Sequence, residues 1–341
     1  MNKVVLVAHI KSKINFAMSS PIKKKAFPQD AKQALNEILR RISFRAEVFY
    51  RGQLCDSWAL DTSGTGNVNF HIVCHGGCWL HLPGFQAPTF LQSGDIVIFP
   101  HDAAHVIGSS EEKPDAFGIQ NVTRQVPLDL TNPGTALICG FLEIDHSVRR
   151  LLLGSLPEFL VVAAQSGSGN VAVRTLLDLL FAEAGMDEVG ATAILDRLAD
   201  ALLFYIVRDL VEKNLPVPGL LGAFADAQIC KAVLAINANP GWHWTLDNLA
   251  EIAHLSRSAF IERFFQACGM PPIEFLTIWR MYFARRWLEQ EKASVMDVAE
   301  RCGYESAAAF SKAFKRVMGA GPGQFRKIGG VRKIKAFSGT L

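Results

Sequence analysis

Two groups of side chains in this sequence could do chemistry. The first lies in Phe70–Leu82, FHIVCHGGCWLHL, where His71, Cys74, Cys78 and His81 crowd together. Imidazole nitrogens and thiols are the donors that zinc, iron and other divalent metals take, and paired thiols can be oxidised. If His75-Gly76-Gly77 is a hairpin loop, Cys74 pairs with Cys78 and His71 with His81. That register puts the thiols on one face and the imidazoles on the other. His105 can join the imidazoles if their face lines a barrel, giving three nitrogens around an open metal position. The alternative is histidines hydrogen-bonded within a core. A Cys74–Cys78 disulfide is open to the same register, under strain. A redox-active thiol needs exposure and a lowered pKa; Cys230, Cys268 and Cys302 fall on helix faces as core residues.

The second group lies in the last hundred residues, which contain one pattern twice. Thr245–Phe275 reads TLDNLAEIAHLSRSAFIERFFQACGMPPIEF, and Ser294–Phe325 reads SVMDVAERCGYESAAAFSKAFKRVMGAGPGQF. Leu249-Ala250-Glu251 returns as Val298-Ala299-Glu300, 49 positions on. After one inserted residue, Phe260, Phe264, Gly269, Pro272 and Phe275 return as Phe310, Phe314, Gly319, Pro322 and Phe325, 50 positions on. In the first copy Leu246, Leu249, Ala250 and Ala253 share a helical face. Thr245 and Ser256 are N-cap residues. Phe260, Phe264 and Phe265 make the apolar stripe of the second helix, which Gly269 and Pro271-Pro272 end. In the second copy Ser294 and Ser306 open the helices, Gly303 lies in the turn, and Gly319, Gly321 and Pro322 close the unit. Two short helices joined by a tight turn can lay the second in a DNA major groove. Between the copies, Ile273–Leu288 reads as a buried helix with Arg280, Arg285 and Arg286 on its outer side. It spans roughly 24 Å, which with its flanking turns would space two reading helices about one DNA turn, roughly 34 Å, apart.

Those reading helices need a positive surface, and the charge is segregated accordingly. The overall charge is +3, yet residues 242–341 carry 15 Lys/Arg against 9 Asp/Glu, and residues 26–241 carry 14 against 23. A basic end and an acidic middle fit a nucleic-acid module joined to a separate one. Residues 46–144 contain short strand-like runs broken by Gly, Pro and Asp: AEVFYRG, VNFHIVC, CWLHLP, PTFLQ, DIVIFP, HVIGSS and ALICGFLEI. Many strands with no strong helix predict a small β-barrel or jelly roll. RRLLLGSLPEFLVV then ends the barrel and begins helical structure. AILDRLADALLFYIVRDLVEK is apolar over more than one stripe, through Leu195, Leu198, Leu202, Tyr205, Ile206 and Leu210, as a dimer helix or a helix under the barrel would be.

Residues 242–327 resemble the DNA-binding domain of the AraC/XylS family of bacterial regulators. The resemblance is carried by WTLDNLAEIAHLSRSAFIERF, GMPPIEFLTIWRMYFARRWL and VAERCGYESAAAFSKAFKRVMGAGPGQFR. It implies one chain reading two successive major grooves. By position, the first head would present Arg257, Ser258, Ile261 and Glu262 to DNA. The second would present Ser306, Ala307, Ala308, Ser311 and Lys312. Glu262 can accept from cytosine, Lys312 can donate to guanine or phosphate, and Ala307 and Ala308 can touch only a thymine methyl. The second head is therefore expected to lean on phosphates, with Lys315, Arg316, Arg285 and Arg286 as phosphate contacts or solvated charges. LQSGDIVIFPHDAAHVIG and FHIVCHGGCWLHL resemble the cupin sensor half of some members of that family, without the HxH-plus-Glu cluster of catalytic cupins. One such subgroup contains activators that respond to reactive chlorine through cysteine oxidation; Cys139 matches a Cys-Gly pair there, and Cys55 lies near another of its cysteines.

The expected architecture is α+β and multidomain. It comprises a disordered or supernumerary segment at 1–30 and a cupin-like barrel at 31–150. A helical dimerisation region at 151–213, a linker at 214–226, a double helix-turn-helix domain at 227–328 and a flexible tail at 329–341 complete it. The expected function is sequence-specific transcription regulation, as an activator on the family's pattern, under control of a small molecule, metal or oxidant sensed in the barrel. The expected partners are promoter DNA, RNA polymerase, a second copy of the chain and an effector. No cofactor is required, though a divalent metal in the barrel is an option, and a bacterial cytoplasmic, nucleoid-associated location without membrane attachment is expected. The sequence contains no run of membrane-helix length, and seven cysteines argue against a disulfide framework. The alternatives are a cupin enzyme fused to a DNA-binding module and an architectural binder with little sequence preference.

Overall fold

The computed structural model describes residues 36 and 44–328, apart from 86, 113–120, 127, 130–132, 145, 155, 164–170, 187, 213–218 and 292. The segment expected to be disordered therefore lies outside the described residues, as does the tail at 329–341. The chain divides into two compact units, one built on Ser43–Ile144 and Leu156–Leu215, the other on Asp145–Ser155 and Pro216–Leu341.

The first unit is a curled antiparallel sheet. Its strands are β1 (Phe44–Asp61), β2 (Val68–His75), β3 (Gly77–His81), β4 (Thr89–Gln92), β5 (Asp95–Phe99), β6 (Val106–Gly108), β7 (Asn121–Val126), β8 (Thr135–Ile144) and β9 (Leu160–Ala163). Their order is β4-β3-β6-β1-β8-β2-β5-β9, with β7 on β1. The long β1 makes the curl. It pairs with β8 from Phe44 to Leu54 and with β6 from Ala59 to Asp61. Between them the register against β7 shifts at Cys55–Trp58, where Asp56 has a positive φ of 62°. An irregularity of this kind bends a strand and raises its twist.

The seven expected strands are present, but one pairing differs. β2 pairs with β5 and β8, and β3 pairs with β4 and β6. His75-Gly76-Gly77 is a corner between two parts of the sheet, not a hairpin loop. Gly76 turns it with φ 70°, and an added Cβ there would collide with the Gly134 carbonyl oxygen. Leu160–Ala163, expected to be helical, is a strand on the edge of β5.

Among the described residues two helices complete this unit, α2 (Val171–Ala184) and α3 (Ala191–Glu212), numbered after a preceding α1 (His146–Leu153). α3 covers the start of β1. Asp196 Oδ1 accepts from Val48 N at 2.9 Å and Asp200 Oδ1 accepts from Ala46 N at 2.5 Å, so carboxylates take up backbone donors on that strand. Leu195, Leu202 and Ile206, expected on a broad dimer surface, are buried within the unit. Leu198 and Tyr205 are half-buried, and the side chain of Leu210 lies outside the described residues.

The second unit is helical. It contains α1, α4 (Leu220–Ala225), α5 (Ala227–Ala238), α6 (Leu246–Ile252), α7 (Arg257–Cys268), α8 (Pro272–Gln290), α9 (Val295–Arg301), α10 (Ala307–Met318) and α11 (Pro322–Ile328). The expected linker is in part a packed helix, since Leu220, Ala223 and Phe224 of α4 are fully buried. Gly219 N donates to the Ala267 carbonyl of α7 at 2.9 Å. α1 belongs with this unit as well: Leu151 is fully buried, and Arg150 pairs with Glu274 of α8 at 2.7 Å. Thus α1, which straddles the expected boundary at 150 between barrel and dimerisation region, falls in the helical unit and packs on α8.

Candidate nucleic-acid interface and barrel interior

Each reading helix is held by local chemistry that repeats. Thr245, Ser256, Ser294 and Ser306 cap α6, α7, α9 and α10, their hydroxyls accepting from Asn248 N, Ala259 N, Asp297 N and Ala309 N. Gly269 and Gly319 close α7 and α10 in the left-handed conformation, at φ 69° and 77°. Behind the reading helices the packing repeats too. Phe264–Phe275 ring centroids lie 5.5 Å apart at 81°, and Phe314–Phe325 5.3 Å apart at 76°. Phe260, Phe264, Phe310 and Phe314 are fully buried, so these four rings are core.

The other faces of α7 and α10 are open. Arg257, Ser258, Ile261 and Glu262 are exposed on α7; Ser306, Ala308, Lys312, Lys315 and Arg316 are exposed at α10, where Ala307 and Ser311 are half-buried. The cations differ between the two helices. Arg257 lies 3.5 Å from Asp247, and Arg263 Nε donates to Asp226 at 2.6 Å. Asp226 is also the N-cap of α5, so Arg263 fastens α7 to the start of α5. α10 carries Lys312, Lys315 and Arg316 and no acidic residue.

Three placements depart from expectation. Phe265 is not part of the buried stripe; it is 54% exposed on the open side of α7. The repeat held a signal for this, since the position 50 residues on is Lys315 rather than an aromatic. Arg280 does not face outward: its Nε donates to the Pro240 carbonyl and its Nη2 to the Trp242 carbonyl, each at 2.7 Å. Arg285 binds Glu289 at 2.8 Å and lies over the Phe325 ring, and Arg286 lies over Tyr282. These arginines brace the domain around α8.

In the barrel the alternation of β2 and β8 decides which side chains meet. His71 stands opposite Cys139 on one side and Val97 on the other, so His71 and Cys139 share the inner face. Cys78 and Leu80 belong to the same interior cluster, whereas Cys74 is on the other face of β2. The expected arrangement, with Cys74 and Cys78 together and His71 with His81, is thus corrected by the corner at Gly76. His71 Nε2, His105 Nε2 and Thr62 Oγ1 form a triangle with 3.0 Å sides. His105 Nδ1 is 2.7 Å from the Ala103 carbonyl, which can only accept, so Nδ1 carries the hydrogen and Nε2 a lone pair. Phe99 stacks on His105 at 3.6 Å. His71 Nδ1 is buried with no hydrogen-bond partner among the described residues. Burial, and then the neighbouring His105, pushes the His71 pKa well down; burial also lowers that of His105. Both imidazoles are neutral at pH 7.

A three-histidine metal site does not form. His81 Nε2 is 3.0 Å from the Ser110 carbonyl, outside the triangle, and the described residues hold no cluster of three His, Cys, Asp or Glu around one point. Two imidazoles and a neutral hydroxyl fall short of the three strong protein ligands that zinc or non-haem iron takes. Nor are the buried thiols of this unit activated. Burial raises Cys74 and Cys139, and raises Cys78 to about 12, so all three stay protonated. Cys55 is half-exposed at the β1 irregularity, with Sγ 3.5 Å from the Pro133 carbonyl. Cys230, Cys268 and Cys302 are buried in the helical unit.

Comparison with known proteins finds the family described as "Cupin" over residues 33–212 and the family described as "Helix-turn-helix domain" over residues 249–328. An HTH-type transcriptional regulator of Haemophilus influenzae is 30% identical over 86% of this chain and 98% of its own length. An AraC-like transcription regulator of Streptomyces lividans is 30% identical over 79% of this chain and 90% of its own. The RCS-specific HTH-type transcriptional activator RclR of Escherichia coli is 27% identical over 76% of this chain and 84% of its own.

Proposed function

Since the chain belongs to the AraC family of helix-turn-helix transcriptional regulators, with a cupin domain ahead of the DNA-binding domain, we propose that it is an activator governed by a signal received inside that cupin domain. The observation that carries the DNA-reading part is the pair of capped helices, α7 and α10, each with a buried aromatic face and an open one. The His71–His105–Thr62 triangle is a buried polar group among the mostly apolar side chains of the barrel. Its unpartnered nitrogen suits a small organic effector that supplies one hydrogen bond and displaces another. A metal is the weaker reading, given the donor set, and direct oxidation of the inner thiols is weaker too, given their protonated state. The chain runs from β8 straight into α1, whose Leu151 and Leu152 are buried in the helical unit. A change in the barrel therefore reaches α1 through the chain, and α8 through the packing of α1 against it. The working form is a cytoplasmic homodimer that recruits RNA polymerase, with the half-exposed side of α3 as its seam. Related members with named activator roles favour activation.

Promoter footprints at fixed salt test this. The purified reduced protein is compared with samples treated with mild hypochlorite, with zinc or iron, and with a library of small organic effectors. The expected result is a footprint over two successive major grooves that responds to an organic ligand and loses the response in His71→Ala or His105→Ala. A response to oxidant that vanishes in Cys139→Ser or Cys55→Ser would replace the organic effector by a thiol switch. A metal response that vanishes with His71→Ala would restore the metal. No specific footprint at all would favour the architectural alternative.

A further inference from the structure

The two reading helices differ most where α7 carries Phe265 and α10 carries Lys315. Phe265 is 54% exposed and Ile261 is 36% exposed. Ile261 and Glu262 lie three and four residues after Ser258, and Phe265 three and four after them, so the four line one side of α7. The opposite side carries Phe260, Phe264 and Cys268, all buried. Two large apolar side chains are therefore presented on the face that a helix-turn-helix turns to the major groove. The edges of the base pairs offer one apolar group there, the thymine 5-methyl. The cations of α7 are engaged elsewhere, Arg257 toward Asp247 and Arg263 with Asp226, and Glu262 repels phosphate. The face is thus poorly suited to backbone attraction and well suited to apolar contact.

We propose that Ile261 and Phe265 make the first head a reader of thymine methyl groups, whereas the second head, with Ser311 and Lys315 in their places, is held by phosphates. The assignment rests on α7 being a DNA-reading helix and adds to it which chemical group that helix selects. It makes Phe265 a specificity residue, although its aromatic character suggests core.

The test uses the full chain. Binding sites are selected from random-sequence duplexes, and each thymine of the selected site is then replaced in turn by deoxyuridine, which removes only the 5-methyl. Affinity is measured by fluorescence anisotropy at fixed salt. The expected loss is roughly fourfold for each methyl in contact, the worth of one buried methyl-sized group, confined to one half of the site. In Phe265→Ala and Ile261→Ala the same deoxyuridine duplexes should bind as well as their thymine counterparts. Phe265→Lys should also abolish the distinction and steepen the salt dependence. A selected half-site without thymine, equal binding of every deoxyuridine duplex, or a thymine preference that survives both alanine variants would overturn the proposal while leaving the DNA-binding reading intact. Failure to select any sequence would overturn both.

Discussion

The two helix-turn-helix units have nearly the same backbone and different means of holding it. Each turn is closed by the same pair of hydrogen bonds: His254 N to Glu251 O and Leu255 N to Ala250 O in the first, Gly303 N to Glu300 O and Tyr304 N to Ala299 O in the second. The left-handed residue is His254 at φ 54° in one and Gly303 at φ 71° in the other. The first turn is braced by a side chain, Gln228 Nε2 donating to the Ala253 carbonyl at 3.2 Å. The second is braced by backbone, with Gly303 packed against Gly241, and Arg280 of α8 holding the 240–242 loop from beside it. A repeat can keep its turn while its glycine requirement changes, because that requirement comes from the neighbour and not from the turn alone. The outer faces diverge in the same way, apolar with Glu262 on α7 and basic on α10.

The contrast can be broken most severely at Gly303. A Cβ there meets the Gly241 carbonyl oxygen in a left-handed conformation, so Gly303→Ala should cost about 4 kcal/mol or more by urea unfolding. His254→Ala should change stability by less than about 0.5 kcal/mol, because a side chain is already tolerated there. Equal losses at the two sites would abolish the distinction between turns. Next is Arg280→Ala, which removes two charge-assisted hydrogen bonds to the loop. A loss of about 2–4 kcal/mol is expected, and a loss under 1 kcal/mol would mean that the glycine contact alone holds the second turn. Lys315→Ala should leave sequence preference unchanged while lowering the salt slope of DNA binding by about 0.9; an unchanged slope would remove the phosphate role of α10. The smallest effect is a gain. His254→Gly should raise stability by about 0.5–1 kcal/mol, since glycine adopts the left-handed conformation without steric cost but gives up some chain entropy, and a loss instead would show that the imidazole makes a contact worth more than the strain.

Much of the helical unit was legible because its signals are local. Cap serines and threonines, closing glycines and the phenylalanines at helical spacing act within a few residues of one another, and the repeat doubled each of them. The barrel was legible as strands but not as pairings. Val68–His75 and Gly77–His81 have the pattern of a hairpin, and the structure separates them because β2 takes β8, more than sixty residues on, as its partner. That misplacement moved Cys74 and His81 away from the set they were expected to join. Phe265 and Arg280 were misjudged for a related reason: residue type favours a core aromatic and a solvent-facing arginine, and only the neighbouring helices and loops decide otherwise.

From the sequence alone came the double helix-turn-helix, its caps and ends, the strand-rich first half and the division of charge. All of these are encoded in residues close together along the chain or in bulk composition. The tertiary structure alone decided that His71 meets His105 over Thr62, that His81 does not, that Arg280 serves a loop and that Phe265 is exposed. Each of those outcomes depends on which distant strand or helix occupies the neighbouring space, and a local pattern of residues contains no term for that.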